Sequence, residues 1–304
     1  MKRQKGFALL MVLWVSILLT VLISGYTVLT RTETLQSRFL FDDAQARYMA
    51  LAGIERAVLE LRKPDLETRW QADGRTYEFE FDGALIEVEI MDETGKIDIN
   101  AAPDQMLLDL FSSIGVDEQE AQELTDAIQD WKDPDDLGRM SGAEDPDYES
   151  AGYPYGAKDA SFDTVEELQQ VMGMSYELFV QLEPSITVFS GRSTVNAAFA
   201  PVSVLRALPG MDIDQAQQFV DARQQVDGLG AALPQLPDGT QPVAQGGGLT
   251  YSIRSRATLE NGAWAKVEQT IRHGGTRFGR PFRVLRIKNP YLSENSANPV
   301  GEDE

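Results

Sequence analysis

The stretch that decides the fold lies at the amino terminus, where residues 5–30 read KGFALLMVLWVSILLTVLISGYTVLT. From Phe7 to Thr30 the run carries no charged residue. At a helical rise of about 1.5 Å per residue it would extend roughly 36 Å, more than the approximately 30 Å of hydrocarbon in a bilayer. A secretory signal peptide is the natural competitor, but its apolar region would be shorter and would end at a small-residue cleavage site. Residues 7–30 are therefore predicted to form a transmembrane helix.

Charges on either side of this helix predict its orientation. Lys2, Arg3 and Lys5 precede it, whereas the whole chain has 27 Lys and Arg against 48 Asp and Glu, a formal net charge of −21. Basic residues beside a span are retained in the cytoplasm, so the acidic remainder is predicted to lie across the membrane. Such acidity repels phosphate backbones, and the absence of cysteine excludes disulfides, thiolate metal sites and a cysteine nucleophile.

Beyond the membrane the helix is predicted to continue to about Arg62, because apolar residues keep a helical spacing until Pro64 disfavours the α conformation of the residue before it. These apolar residues are Leu51, Ile54, Val58 and Leu61. A helix that is apolar all round in its first half and amphipathic in its second is typical of one anchored in lipid and then packed on a globular domain.

Strand patterns flank a long helical region. Apolar and charged residues alternate over 77–81 and 86–90, on either side of the turn pair Asp82-Gly83, which predicts a β-hairpin. A second hairpin is predicted near the carboxyl end, with strands over 251–254 and 265–271, a turn at Asn261-Gly262 and a last short strand over 282–287.

The region from Asp98 to Val226 reads as helical and contains an internal repeat. Asn100-Ala101-Ala102 is followed by a glycine turn at Gly115, and Asn196-Ala197-Ala198 by one at Gly210. We interpret each copy as a helix that begins at Asn-Ala-Ala, a glycine turn and a second helix. The predicted fold is α+β: a long N-terminal helix on a small antiparallel sheet, with a large all-α insertion of two helix-hairpin-helix-like repeats.

Between the two copies lies a stretch dense in carboxylates and rich in glycine and proline. Crowded carboxylates repel one another unless a hard divalent cation with several oxygen ligands neutralises them, which is the chemistry of calcium. The alternative is a solvated acidic loop, and the spacing does not match that of an EF-hand. The carboxylates are those of Asp130, Asp133, Asp135, Asp136, Glu144, Asp145, Asp147, Glu149, Asp159 and Asp163.

Lys5-Gly6-Phe7, followed directly by the apolar run, resembles the leader of type IV pilins and pseudopilins, which a prepilin peptidase cuts after the glycine. The resemblance implies that residues 1–6 are removed and that Phe7 becomes a methylated first residue. The fifth mature position is normally a glutamate, which pairs with the terminal amine of a neighbouring subunit, but here it is Met11. An unpaired carboxylate is costly in lipid, so a subunit with no neighbour above it gains by omitting it. In this respect the chain is similar to the K-type minor pseudopilins, the general secretion pathway protein K family.

Two further stretches carry the same resemblance. GKIDINAA at residues 95–102, and IQDWKDPD at 128–135 with GAEDPDY at 142–148, are similar to the characteristic insertion of that family. K-type pseudopilins bind calcium in this region. The resemblance therefore implies a calcium site with backbone carbonyls and four carboxylate ligands, Asp133, Asp135, Glu144 and Asp145.

The resemblance also implies a function, a location and a set of partners. Its members are non-enzymatic subunits at the tip of the type II secretion pseudopilus, anchored by one span in the bacterial inner membrane with their bulk in the periplasm. The implied partners are the H-, I- and J-type minor pseudopilins, the major pseudopilin, the prepilin peptidase and the inner-membrane secretion platform. The implied parts are a leader (1–6), a transmembrane helix (7–30), a pilin-like helix with the first strands (31–97), an inserted helical domain with the acidic calcium loop (98–226), the C-terminal strands (227–290) and a disordered tail (291–304).

The same residues give less support to two other classes of protein, a DNA receptor and an enzyme. Paired helical hairpins with a glycine turn resemble helix-hairpin-helix modules, so a membrane-tethered DNA receptor is the alternative function. Its turns here carry Asp117, Glu118 and Asp212, which oppose phosphate. An enzyme would need a nucleophile beside a base, and the single histidine, His273, is predicted to lie in an exposed loop.

Overall fold

The computed structural model of the chain combines a long N-terminal helix, a five-stranded antiparallel sheet and a helical insertion, which confirms the α+β class. The predicted leader and the predicted C-terminal tail lie outside the described residues. The structure describes residues 7–226, 228, 232–244, 247–274 and 281–288.

Helix α1 spans Phe7–Leu61, so the single continuous helix predicted to end near Arg62 is confirmed. Its membrane half is exposed, whereas its second half buries small residues against the sheet. At Gly53 the contact is tightest, since a Cβ built there would lie 2.2 Å from the Oγ of Ser255. Small side chains and this glycine thus bring the helix close onto the strands.

All strands of the main sheet are antiparallel and lie in the order β1-β2-β5-β6-β7. Both predicted hairpins and the last short strand are confirmed. Asp82 and Gly83 have φ of 48° and 76°, as a tight hairpin turn between β1 and β2 requires. The strands are β1 Asp73–Phe81, β2 Ala84–Asp92, β3 Ile97–Asp98, β4 Ile186–Thr187, β5 Thr250–Leu259, β6 Trp264–His273 and β7 Phe282–Lys288.

The insertion leaves the sheet at the end of β2 and returns at the start of β5, where Asp92 pairs with Tyr251. The opposite end, at the turn between β5 and β6, lies nearer to the predicted transmembrane segment of α1, because the Nδ2 of Asn261 donates to the Oδ2 of Asp42 at 2.9 Å. The insertion therefore projects from the end of the sheet that is distal to the membrane helix.

Six short helices build the insertion, together with one pair of strands. The prediction of an all-α insertion was wrong in this detail, because β3 and β4 pair in parallel. Strands of two residues are too short to show alternation in sequence. The helices are α2 Asp104–Ser113, α3 Glu118–Lys132, α4 Asp145–Ser150, α5 Tyr176–Leu182, α6 Val202–Leu205 and α7 Ile213–Gln224.

The predicted helix starts at the two Asn-Ala-Ala segments were also wrong. Both helices begin later, after Pro103 and Pro201, whose fixed φ suits the entry to a helix. The side chain of Asn100 instead bonds the backbone nitrogen and oxygen of Phe162 at 2.8 and 2.9 Å. Helix α2 contacts α3, and α6 contacts α7, across glycines with positive φ. Their equivalence as helix-hairpin-helix-like repeats stays a prediction.

Two large apolar cores result, one between α1 and the sheet and one within the insertion, and a third, small cluster contains Ala198, Phe199 and Leu233. The seam between the two large cores also contains buried polar groups. Buried Glu93 accepts hydrogen bonds from Lys96 and Ser252, both at 2.7 Å, and from the hydroxyl of Thr187. A Cβ at Gly95 would lie 2.4 Å from the backbone of Phe199, so the two parts meet backbone to backbone.

Arg223 of α7 connects the insertion to the sheet across this seam. Only 1% of it is exposed, and its guanidinium donates to the carbonyls of Ala197, Ala200 and Asp73 at 3.0, 2.9 and 2.9 Å. Burial lowers the pKa of Arg223 to about 10, against the opposing effect of the Asp73 carboxylate. One buried cation thus ties the insertion to the first strand of the sheet.

Candidate metal site

The acidic loop starts where α3 ends and is organised in its first part by Arg139. The guanidinium of Arg139 donates to Asp104 at 2.7 Å and lies 3.7 and 3.8 Å from the carboxylates of Asp126 and Asp130. The backbone nitrogen of Arg139 donates to the fully buried Asp130 at 3.0 Å. This half of the loop therefore carries its own neutralising cation.

Two glycines let carboxylates lie directly against the backbone of the loop. A Cβ at Gly142 would stand 1.8 Å from the Oδ2 of Asp130, and one at Gly156 would stand 1.8 Å from the Oδ1 of Asp145. Any side chain at either position would displace a carboxylate. In the sequence these glycines indicate only a loop, whereas in the structure they leave space for acidic side chains.

Glu144 is the most perturbed group of the loop. It is 4% exposed, and its Oε1 is buried with no hydrogen-bond partner among the described residues. Burial, followed by the negative charges of Asp130, Asp133, Asp159 and Asp136, raises the pKa of Glu144 to about 7. A buried carboxylate oxygen without a partner is costly and demands either a proton or a cation.

Asp159 stands in the same electrostatic environment on the far side of the loop. Burial raises its pKa first, and the charges of Asp145, Asp136 and Asp133 raise it further. Its backbone has φ of 54°, a left-handed conformation that aspartate tolerates better than most residues. Six carboxylates therefore contribute to this environment: those of Asp130, Asp133, Asp136, Glu144, Asp145 and Asp159.

The structure brings three of the four ligands implied by the family resemblance into this cluster, namely Asp133, Glu144 and Asp145. The fourth, Asp135, turns toward its own backbone and accepts from the nitrogen of Leu137 at 3.0 Å. Sequence reasoning did not select Asp136 or Asp159. Both stand in the acid-rich stretch, but no spacing rule separates them from their neighbours.

Within the described residues, no group of three or more His, Cys, Asp or Glu side chains could hold a metal ion as placed. A cation would need rotation of the carboxylates or additional backbone oxygens. The donor set is nevertheless of the kind that calcium takes, since it consists of flexible oxygen ligands. The unpartnered oxygen of Glu144 is the donor in this set that a cation would satisfy, and Asp145 lies beside it in the chain against Gly156.

Aromatic side chains pack against one another next to the acidic loop. Trp131 packs against Tyr148 and Tyr155 with ring centroids 5.8 and 6.2 Å apart, and Tyr153 lies 5.4 Å from Tyr155. The hydroxyl of Tyr148 accepts from the nitrogen of Met172 at 2.9 Å. The acidic cluster therefore sits on a packed aromatic base rather than on an open loop.

The residues predicted to act in processing and assembly lie at the start of α1. Phe7 begins the helix, and Met11, 57% exposed, lies one turn further on. Gly6 falls outside the described residues. Among those described, one helix is long and apolar enough to cross a membrane, judged by length and composition.

In a helix-hairpin-helix DNA receptor, the backbone amides at helix N-termini would bind phosphate. Here these amides already donate to side-chain carboxylates. The carboxylate of Asp117 accepts from the nitrogens of Gln119 and Glu120, both at 3.1 Å, and that of Asp212 accepts from Gln215 at 2.8 Å. Acidic caps both satisfy these amides and repel an anion. His273 is not in an exposed loop as predicted, because it ends β6 and packs half-buried against Tyr251.

A long N-terminal helix, apolar enough in its first half to cross a membrane, that continues onto an antiparallel sheet is the architecture of a pilin-like protein. A family model described as "Type II secretion system (T2SS), protein K" matches residues 88–191, which contain the acidic loop. By this match and those of its relatives, the chain is similar to protein K of type II secretion systems.

Two similar proteins and one solved structure match most of the chain. Type II secretion system protein K of Pseudomonas aeruginosa is 29% identical over 283 residues, covering 84% of this chain and 83% of the relative. The protein K of Pectobacterium carotovorum subsp. carotovorum is 24% identical and covers 98% of this chain and 99% of its own length. A chain in the crystal structure of the GspK-GspI-GspJ complex from the enterotoxigenic Escherichia coli type 2 secretion system shares the fold. Its TM-score is 0.53 at 21% identity, covering 85% of this chain and 98% of that one.

Proposed function

We propose that this chain is a minor pseudopilin that sits at the tip of the pseudopilus and initiates or caps its assembly for protein export across the outer membrane. The observation that carries the proposal is the position of the insertion, which projects from the sheet end opposite the membrane helix. A head of this size at the distal end would obstruct a further subunit stacked above it.

The proposed partners follow from the relatives. In the solved complex, GspK is joined to GspI and GspJ, so the I- and J-type minor pseudopilins are the first partners proposed for this chain. The H-type subunit, the major pseudopilin, the prepilin peptidase and the inner-membrane platform complete the set that the family resemblance implies. The apolar half of α1 would supply the helical contact within the membrane.

The proposed location is the bacterial inner membrane, with the bulk of the chain in the periplasm. We propose that the peptidase cuts after Gly6 and that Phe7 is methylated. Mass spectrometry of the mature N-terminus tests this step. A chain that begins at methylated Phe7 is expected, whereas cleavage after the apolar run, or no cleavage, would exclude pilin-type processing.

The tip position is tested at Met11. The variant Met11→Glu places a carboxylate in lipid without a subunit above to pair with it, so we expect less membrane insertion and less secretion. Met11→Leu is the matched control and should secrete normally. Unchanged secretion and pseudopilus length in Met11→Glu would argue against a subunit that has no neighbour above.

We also propose that the acidic loop binds calcium, which supplies positive charge to carboxylates that otherwise repel. Glu144, Asp133 and Asp145 are the proposed ligands, with Asp136 and Asp159 close enough to contribute, and backbone carbonyls would complete the shell. Neutralising this cluster would order the loop against the rest of the protein.

Terbium luminescence and melting measurements test the calcium proposal, because Tyr153 and Tyr155 lie close enough to the cluster to sensitise a bound lanthanide. Calcium should compete with terbium and raise the melting temperature. Glu144→Gln should weaken affinity about tenfold or more, whereas the exposed control Glu149→Gln should stay within about twofold. An unchanged melting temperature on adding a chelator would contradict the proposal.

A further inference from the structure

An open groove of about 750 Å³ lies beside the acidic loop. One wall is the first half of α3, and the other is the loop segment 140–143. Leu124 and Ala127, both buried, contribute to its floor. A groove of this size falls within the range of sites that hold a ligand or a short segment of chain.

The α3 wall of the groove is negatively charged. Asp117 caps the helix, and Glu120 and Glu123 are exposed and stand one helical turn apart. Glu123 also accepts a hydrogen bond from the side-chain amide of Gln119 at 2.9 Å. The residues that line the groove include no lysine or arginine. Any segment that enters it therefore meets an acidic wall with no basic residue of the groove to offset it.

The opposite wall presents an apolar side chain in an unusual way. Met140 is fully exposed, although the loop that carries it is fixed by hydrogen bonds from its neighbours. The nitrogen of Arg139 donates to Asp130 at 3.0 Å, and that of Ser141 donates to Asp126 at 3.3 Å. An exposed methionine on a fixed loop is typical of surfaces that contact a partner.

We propose that this groove binds an extended segment of another protein in which a bulky apolar side chain is flanked by lysine or arginine. The apolar side chain would lie against the exposed Met140, and the cations would lie against Glu120 and Glu123. Charge complementarity selects this chemistry, because an acidic or neutral segment gains nothing from the α3 wall. The inference requires neither the calcium site nor the tip position.

The test uses the full-length protein in nanodiscs of zwitterionic phosphatidylcholine, which does not attract cationic peptides. The probe is a fluorescein-labelled peptide with two Lys-Leu-Arg units joined by Gly-Ser-Gly, followed by fluorescence anisotropy. Glu120→Gln/Glu123→Gln should weaken binding about tenfold. The matched control, Glu78→Gln/Glu80→Gln on β1, removes the same charge from another exposed surface and should change affinity less than about twofold.

A second pair of measurements isolates the apolar contact. Met140→Ser should weaken binding of the leucine peptide several-fold, and it should leave unchanged the weaker binding of a peptide in which serine replaces leucine. Equal losses in the groove and control double variants would show attraction to net charge alone and would overturn the proposal. So would the same loss for both peptides in Met140→Ser, or no binding of the probe to the parent protein.

Discussion

The two cores of this molecule are built by opposite means. Between α1 and the sheet, small residues such as Ala46, Ala50 and Gly53 let a regular helix lie close against regular strands. The insertion has short helices joined by irregular loops, and its interior holds aromatic side chains such as Phe111 and Trp131. Periodicity therefore specifies the first core, whereas the second depends on particular side chains that meet across long separations.

The junction between the cores differs from both. Glu93 and Arg223 are buried there with their partners, and neither belongs to an apolar cluster. A buried polar contact adds little net stability when intact but is costly to break. The junction should thus be the most sensitive part of the molecule to single substitutions.

The largest effect is expected from Arg223→Leu. This change leaves three buried carbonyls without a donor and the Asp73 carboxylate with less compensation, so the free energy of unfolding should fall by about 3–5 kcal/mol. Urea unfolding measures the loss, and hydrogen exchange should show β1 and α7 opening together.

Arg206→Leu is the matched control for that variant. Arg206 donates to the carbonyl of Ser113 inside the insertion, so its loss should cost about 1 kcal/mol and should leave exchange in β1 unchanged. Equal destabilisation by the two variants would mean that the junction is no more sensitive than the insertion itself.

A smaller effect, confined to the sheet core, is expected from Gly53→Ala. The added Cβ overlaps the hydroxyl of Ser255 and a methyl group of Ile86, so the free energy of unfolding should fall by about 1–3 kcal/mol. The same change at Gly25, where no atom lies within 4 Å, should have no comparable cost. Removing the hydroxyl with Ser255→Ala should recover part of the loss, and no recovery would argue against helix–sheet overlap as its cause.

Changes of pH are expected to have the smallest effects on stability. The sign of the effect is opposite for Glu144 in the acidic loop and for Glu183, which pairs with β7. In the metal-free protein, Glu144 has a pKa raised to about 7, so the folded state binds more protons than the unfolded state between pH 4.5 and about 7. Stability from this group is present at low pH and falls as the pH rises through that window. Glu144→Gln should flatten this part of the profile of melting temperature against pH.

Glu183 should show the reverse dependence. Burial raises its pKa, but the hydrogen bonds and charges of Lys288 and Arg286 prevail and hold it below the usual value. Its contribution is present above the pKa of the unfolded state and is lost as the pH falls further. In Glu183→Gln, exchange in β7 should no longer rise on acidification, and a rise equal to that of the parent would exclude this ion pair as the cause.

The two cores also differ in how much the sequence could predict. Alternating residues and the turn pairs Asp82-Gly83 and Asn261-Gly262 predicted both hairpins, because strand period and turn chemistry are local. No local pattern pairs Arg223 with Asp73, which lies 150 residues earlier. The helix starts were misplaced because Asn100 bonds Phe162 in a distant loop instead of capping a helix.

The candidate metal site was predicted only at the level of the loop. Composition and family resemblance selected this stretch and Glu144, and calcium binding there stays a prediction; no sequence rule reveals the burial of Glu144. The assignment of Asp135 as a ligand also stays a prediction, and in the structure its carboxylate accepts from the backbone nitrogen of Leu137. Asp159 approaches the cluster only because the chain folds back after α4.

The pairing of β2 with β5 across the insertion also determines the order in which the chain can fold. Glu89 and Arg254, cross-strand partners, are 165 residues apart, whereas α2 and α3 meet within a few tens of residues. Local contacts form early, and distant ones must wait for the loop between them to close. The insertion can therefore condense while β2 still lacks its neighbour, and the exposed edge of β2 during that interval is where the growing chain is most open to aggregation.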